Sequence, residues 1–502
     1  MEKEKIWKKE VKFHFILNLL FAIFITLSSY VHIPYGTFKA FLFYLVHFLL
    51  LQFSFSGFIY ILSLFRKIFV FVFPLFFLVL SSLSFWVYTQ DITIGMGLIQ
   101  AILETKLDIA IDVLNVQFIG YLLVAVVSLF MVMKKFNSLP INRFKSPLLL
   151  VAIFAISTFF LVENYKYGTF KRKLPYNAYF AFTNYLKKPN LKLKEVPKNI
   201  VSKSEGVDII FVLGESLRAD HLYLNGYTRN TTPLLSKQKN IVSFNNIYTP
   251  LTYTAISVPQ ILTNKSVLDE DKQEFFSLYS VLRKANFSTK WLGNQTLEKS
   301  FKDIVYTNDS VQIIDQFRSV LSFKKQKDME LLNFFSNNTY SAKNSITTLH
   351  MIGSHWYYGS RITKNFEYYK PTVQSKYVGS STKEALINSY DNTILYLDYF
   401  LENLIERLKT SSKKTILIYL SDHGETLGED GKWFHAQEHK SSKNPAMLVW
   451  YSDNFAKYYP NKIKQLKSKQ KMIISTDFLF HTILDLAEIE NFNFKKELSI
   501  FN

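Results

Sequence analysis

Before residue 165 the chain alternates long apolar runs with short polar breaks. Five runs, at 13–30, 40–64, 68–89, 113–133 and 147–162, contain no Asp, Glu, Lys or Arg. Each approaches the ~20 residues a helix needs to cross ~30 Å of hydrocarbon. A water-soluble helix carries a polar stripe every few positions, and these runs have none. The pattern therefore predicts five membrane spans, the fifth being the shortest. No small-residue cleavage site follows the first run and four more runs come after it, so it reads as an anchor and not as a signal peptide.

The breaks orient the spans. The start, MEKEKIWKKEVK, is basic, as are Arg66 and Lys67 between the second and third runs and KKFNSLPINRFK between the fourth and fifth. Basic loops stay on the cytoplasmic side. An inside start and five crossings put everything after about residue 163 outside. Residues 90–115 have helical apolar spacing at Ile99, Ile102, Leu103, Leu107, Ile111 and Leu114. This predicts a helix near 95–112 on the membrane surface, with a lid over a lipid headgroup as the alternative. Residues 164–204 are rich in Lys and Tyr with Pro punctuation, which suits a basic amphipathic linker lying along anionic headgroups.

From 205 to 502 the pattern changes. Short β-branched runs at 207–215, 287–294, 345–355, 414–425 and 445–452 read as buried strands. Residues 277–285 and 384–410 have helical spacing. Such alternation predicts an α/β domain with a mostly parallel central sheet covered on both faces. The expected division is 1–163 transmembrane, 164–204 linker and 205–502 catalytic.

Composition narrows the function. The 502 residues include 59 Lys plus Arg against 40 Asp plus Glu, a formal charge of +19, with 47 Phe and no Cys. So much aromatic material excludes a disordered chain, and the lack of Cys excludes a disulfide scaffold or a thiol enzyme. The positive excess calls for an anionic partner. Because the basic segments after the spans face away from the cytoplasm, that partner is a membrane or glycolipid and not a nucleic acid.

Candidate chemistry lies at strand ends, where open α/β sheets build their sites. Glu215 follows IIFVLG, Asp422 and His423 follow TILIYLS, and His355 ends ITTLHMIGS, with His435 twelve residues beyond His423. Alone, a strand-end Glu is equally well explained as a cap. Together, two carboxylates and three imidazoles from four segments form an N/O ligand set suited to zinc. The hydroxyl-dense stretch TPLTYTAISVPQILTN, at 249–264, has Pro259 near an expected helix start. A hydroxyl there meets partial positive charge, which suits a phosphorylated intermediate.

The ordered set FVLGESLRADHLYLNGYTRNTTPLL, TAISVPQILTN, HMIGSH and SDHGETLGEDGKWFH resembles the bacterial phosphoethanolamine transferases that modify lipopolysaccharide, within the alkaline phosphatase and sulfatase superfamily. The resemblance covers the whole chain, spans included. It implies that Glu215, Thr254, Asp422 and His423 hold zinc and that Thr254 is the nucleophile. It also implies that His355 and His435 act near the transferred phosphate, or hold a second zinc. Lys299 resembles a family lysine facing phosphoethanolamine, and Thr252, Gln295 and Thr296 fall at polar contact positions. Two departures stand out. Pro250 and Gln260 occupy positions where family members often carry a disulfide bracketing the nucleophile loop, so packing must hold that loop here or leave it more mobile. Ala101 and Ile109 stand where some members have Asn and Glu, which leaves Glu104 and Asp108 as substitutes.

The implied reaction moves phosphoethanolamine from phosphatidylethanolamine to lipid A phosphate or a core sugar through phosphothreonine. The implied setting is a monomer in the bacterial inner membrane with a periplasmic catalytic domain. A phosphoglycerol transferase, or transfer to another envelope glycan, shares the architecture. A sulfatase would need Cys or Ser in C/S-x-P-x-R, and Ser257-Val258-Pro259-Gln260-Ile261 lacks the Arg.

Overall fold

The computed structural model describes residues 2–90, 94–95, 99, 116–139, 146–166, 169–186, 192–269, 274–295, 297–314, 326–335, 343–374, 381–434 and 439–502. The chain divides into two compact units between residues 186 and 192.

The first unit is helical: α1 (Glu2–Phe21), α2 (Ser28–Val31), α3 (Phe38–Leu64), α4 (Arg66–Gln90), α5 (Val116–Asn137), α6 (Leu148–Lys166) and α7 (Tyr176–Leu186). Among the described residues, four helices are long and apolar enough to cross a membrane: Phe38–Leu64, Arg66–Thr89, Val116–Asn137 and Leu148–Tyr165. The first expected span is not one of these four single helices. It is divided among the end of α1, a π-helical turn at Ala22–Thr26, and α2. The expected surface helix near 95–112, with Ala101, Glu104, Asp108 and Ile109, lies almost wholly outside the described residues.

Phe13, Phe21, Phe69, Phe73, Phe77 and Phe136 fill the inside of this unit. Phe71, Leu75, Phe130 and Leu150 stand 80%, 69%, 70% and 73% exposed. Large side chains this open to the outside require an apolar solvent. Helices α3 and α6 pack closely, because a Cβ at Gly57 would meet the Ala152 carbonyl. Small residues at such contacts are how helices associate in lipid. Within the expected linker, the Glu163 carboxylate accepts the Phe170 and Lys171 backbone N–H groups and so anchors the turn before α7.

The second unit is built on a seven-stranded sheet, counted among the described residues. Its strands are β1 (Val207–Gly214), β2 (Ile241–Phe244), β3 (Ser288–Gly293), β4 (Ser310–Ile313), β5 (Ser345–His350), β6 (Lys414–Ser421) and β7 (Met447–Tyr451), in the order β2-β7-β6-β1-β5-β3-β4. The sheet is mixed, with four of its six pairings parallel. β6/β1, β1/β5, β5/β3 and β3/β4 pair in parallel, whereas β7 runs antiparallel to both β6 and β2. Every residue of β1 is buried, because a central strand covered on both faces meets no water. Its Phe211 and Leu213 join Trp291, Ile346, Ile416, Ile418 and Val449 in the core.

Helices α8 (Thr254–Ile261), α9 (Leu278–Lys284), α10 (Lys299–Val305), α11 (Lys383–Lys409) and α12 (Phe478–Leu486) belong to this unit. α11 begins at Thr382, whose hydroxyl accepts the Ala385 N–H, a side-chain cap of the usual kind. Its Tyr390 hydroxyl accepts from Arg218 N–H and donates to the Ser216 carbonyl, fixing the turn after β1.

Candidate active site at the carboxyl ends of β1 and β6

Strand register brings the first functional residues together. Gly214 pairs with Ser421, so Glu215 and Asp422 leave two neighbouring parallel strands side by side. Leu213 pairs with His350 on the other side, which aims the 351–355 loop at the same place. Glu215, Asp422 and His423 offer ligand atoms that all lie within 4.8 Å of one another, and all three are buried.

Thr254 joins them from α8. Its Oγ1 donates toward Glu215 Oε1 and Oε2 at 3.0 and 3.1 Å. It is the first residue of that helix, after Tyr253 in extended conformation, so its oxygen sits where the helix end favours negative charge. His423 Nδ1 lies 2.7 Å from the Gly424 carbonyl. That contact turns Nε2 toward Glu215 Oε1 at 3.5 Å and Asp422 Oδ2 at 3.4 Å. Asp422 Oδ1 accepts the backbone N–H groups of Ser216 and His423.

The electrostatics demand a cation. Burial and the neighbouring Glu215 carboxylate push Asp422 up to about 7. Burial alone would lower His423, but the facing Asp422 and Glu215 outweigh it and push the imidazole up to about 10. Glu425, fully buried two residues on, is raised well above the usual carboxylate range, first by burial. Two carboxylates, one imidazole and one hydroxyl, close together and out of water, are the donor types and number of a tetrahedral zinc site. The residues present therefore fit a metal ion.

The remaining expected residues are placed unevenly. His355 lies in the loop after β5 and not on the strand. Its Nδ1 meets the Trp356 carbonyl at 2.6 Å, and burial lowers its pKa. Gln295 Nε2 donates to Glu215 Oε2 at 3.3 Å and to the Met351 carbonyl at 2.5 Å. Thr252 is buried two residues before Thr254. Lys299 opens α10, but its side chain is not among those described; Thr296 and His435 lie outside the described residues.

The loop of Thr254 is held without a disulfide. Gln260 Nε2 donates to Asp477 Oδ1 at 2.9 Å, and its Oε1 accepts from the Thr476 hydroxyl at 2.8 Å. Sequence reasoning also missed Asp328. This buried carboxylate accepts the N–H groups of Ile352 and Gly353 and the Asn294 amide, and so shapes the loop that carries His355. Its segment, KQKDMELLN, is polar and gave no signal.

Gly353 has φ +52, and a Cβ there would stand 2.8 Å from the Glu215 carbonyl oxygen and 2.9 Å from its nitrogen. Gly353→Ala is expected to destabilise the protein by about 2 kcal/mol, from the left-handed backbone and the displaced Glu215 together. Denaturant unfolding beside an activity assay checks this; unchanged stability would refute the close approach.

The sulfatase family pattern matches residues 208–489. The chain belongs to the sulfatase family. Phosphoethanolamine transferase EptA of Escherichia coli K12 is 33% identical over 294 residues, covering 56% of this chain and 53% of that protein. The chain thus spans about half the length of the curated relatives it matches. The soluble domain of lipooligosaccharide phosphoethanolamine transferase A from Neisseria meningitidis is 28% identical, with TM-score 0.56, over 62% of this chain and 97% of that one. The integral membrane form of that transferase has TM-score 0.56 at 22% identity over 96% of this chain and 98% of its own. The last comparison carries the fold alone, and it extends that fold through both units.

Proposed function

We propose that this protein is a membrane-anchored phosphoethanolamine transferase. It takes phosphoethanolamine from phosphatidylethanolamine and passes it to an anionic lipopolysaccharide acceptor, at a lipid A phosphate or a core sugar. The observation that carries this reading is the Thr254 hydroxyl within 3.0 Å of Glu215, in one buried cluster with Asp422 and His423. The transferase names of the relatives support it, as does the family.

Glu215, Thr254, Asp422 and His423 would hold zinc. The bound ion supplies positive charge that favours the Thr254 alkoxide and polarises a phosphoryl oxygen. Thr254 Oγ1 forms a bond to phosphorus while the bond from phosphorus to the diacylglycerol oxygen breaks. The proton lost by Thr254 ends on diacylglycerol. An acceptor oxygen then attacks phosphorus, and Thr254 regains a proton as its bond to phosphorus breaks. His355 is neutral, and with Nδ1–H donated to Trp356 its Nε2 is the basic nitrogen. It takes the proton where the acceptor is a hydroxyl. Thr252, Gln295, Thr296, Lys299 and His435 contact the phosphoethanolamine group, and His435 steadies its phosphoryl oxygens.

The first helical run, with its π-helical turn, completes five crossings with the four longer helices. The catalytic unit then lies in the periplasm and the anchor in the inner membrane, with the protein acting as a monomer. Because donor and acceptor are both lipids, a shared membrane replaces a three-dimensional search.

Mass spectrometry of envelope glycolipids tests this in strains with wild type, Thr254→Ala or no copy. An adduct of about 123 Da, one phosphoethanolamine, is expected only with wild type. Identical glycolipids in all three strains would sink the lipopolysaccharide acceptor.

A further inference from the structure

The catalytic cluster is acidic, yet the proposed acceptor is a polyanion. A cation site beside the cluster is needed for the phosphate that does not react. Tyr248, His439, Lys440, Lys443 and Ile473 line a groove of about 420 Å³ in the second unit. None of the described lining residues is acidic.

The groove is built onto the site by the backbone. The turn Lys440–Lys443 is a 3-10 helix in which His439 Nδ1 accepts the Ser441 N–H. Gly424, next to His423, donates its N–H to the Ser442 carbonyl at 2.9 Å. Thr249, five residues before the nucleophile, donates its N–H to the Lys443 carbonyl at 3.0 Å. The Asn444 amide adds a bond to the Ile247 carbonyl at 2.8 Å. One short turn is thus tied to both the loop of His423 and the loop of Thr254. Its two lysines are thereby held at a set place relative to both loops, Lys440 exposed and Lys443 half-buried.

Part of the lining is apolar and open. Ile473 is 80% exposed and Tyr248 is 43% exposed, and the neighbouring Met472 is 55% exposed. Cations and exposed apolar side chains in one groove match a ligand that carries both phosphate and acyl or sugar surface.

Resting on the transferase reading, we propose that this groove is the acceptor subsite. Lys440 and Lys443 bind a phosphate of the glycolipid acceptor while Tyr248 and Ile473 cover its apolar part. The donor phosphate reacts at Thr254 and does not use the groove.

The test uses the full-length protein in detergent, with bisphosphorylated lipid A as probe, and compares wild type with the double variant Lys440→Gln/Lys443→Gln. Lipid A binding is measured directly, and diacylglycerol release from phosphatidylethanolamine is measured without acceptor. The expected result is about tenfold weaker binding of lipid A, no such change for lipid A stripped of its phosphates, and donor release within about twofold of wild type. Unchanged binding of bisphosphorylated lipid A overturns the proposal, as does an equal loss of binding for the dephosphorylated lipid. A parallel fall in donor release also overturns it, since the turn would then be serving the nucleophile loop. Binding is read independently of turnover. Absence of diacylglycerol release by wild type would strike the transferase reading, while the binding arm still judges the groove.

Discussion

Thr254→Ala is expected to lower phosphoethanolamine transfer by about a thousandfold or more, the scale on which loss of a covalent nucleophile acts. Thr254 is the hydroxyl held against Glu215 within the buried cluster. The neighbouring hydroxyl Ser257 donates to Asp422 at 3.4 Å and is fully buried, so it is no substitute. Incubated with phosphatidylethanolamine alone, wild-type protein should gain about 123 Da, and fragmentation should place the adduct on Thr254. Thr254→Ser keeps an oxygen at the same helix end and should retain measurable transfer. An adduct on the alanine variant would remove Thr254 from the reaction. Because the substitution also deletes a proposed metal ligand, zinc content is measured in parallel; a variant that keeps its zinc and loses the adduct isolates the nucleophile.

Zinc should stabilise the protein by several kcal/mol when saturating, and by more at high pH than at low pH. In the ion-free folded state Asp422 holds its proton up to about pH 7 and His423 up to about pH 10. In the unfolded chain these protons leave near about 4 and 6.5. The folded state therefore binds more protons than the unfolded chain across roughly pH 4 to 10, so the stability these two groups contribute falls as pH rises through that window. Zinc displaces the same protons. Its stabilisation should therefore grow between about pH 5.5 and 8.5, and its uptake at pH 7.5 should release about one proton or more. Thermal unfolding with and without chelator, and calorimetry in buffers of different ionisation enthalpy, measure both. A zinc shift that is flat with pH would mean the ion is not held by Asp422 and His423.

The two effects share a physical root. Burying two carboxylates next to one another is costly unless a cation stands between them. His423 supplies that cation as a proton in the ion-free protein, and a metal ion would supply it in a loaded one. The Gln260 bonds to Asp477 and Thr476 hold the loop of Thr254 without a disulfide.

Much of this was legible along the chain. The apolar runs announced the anchor because lipid tolerates no regular polar stripe. Glu215 and the pair Asp422-His423 stood out because they directly follow largely apolar buried strands, where a charged residue needs a reason. The strands β2 and β4 did not stand out: each is four residues long, too short for a period to register. The reversal of β7 was also hidden, since a buried strand reads the same in either direction. The π-helical turn Ala22–Thr26 inside the first span leaves no mark in a run without charged residues.

By itself the sequence determined which residues are candidates for chemistry and which stretches must avoid water, since both depend on residue type and local spacing. Tertiary structure alone decided which of those residues meet. The Gly214–Ser421 pairing sets Glu215 beside Asp422, which follow one another in space and lie far apart along the chain. The same holds for the Lys440–Lys443 turn, which joins two distant loops through backbone hydrogen bonds. Backbone N–H and C=O groups are identical at every residue. No sequence pattern records which of them pair, and only the folded register settles it.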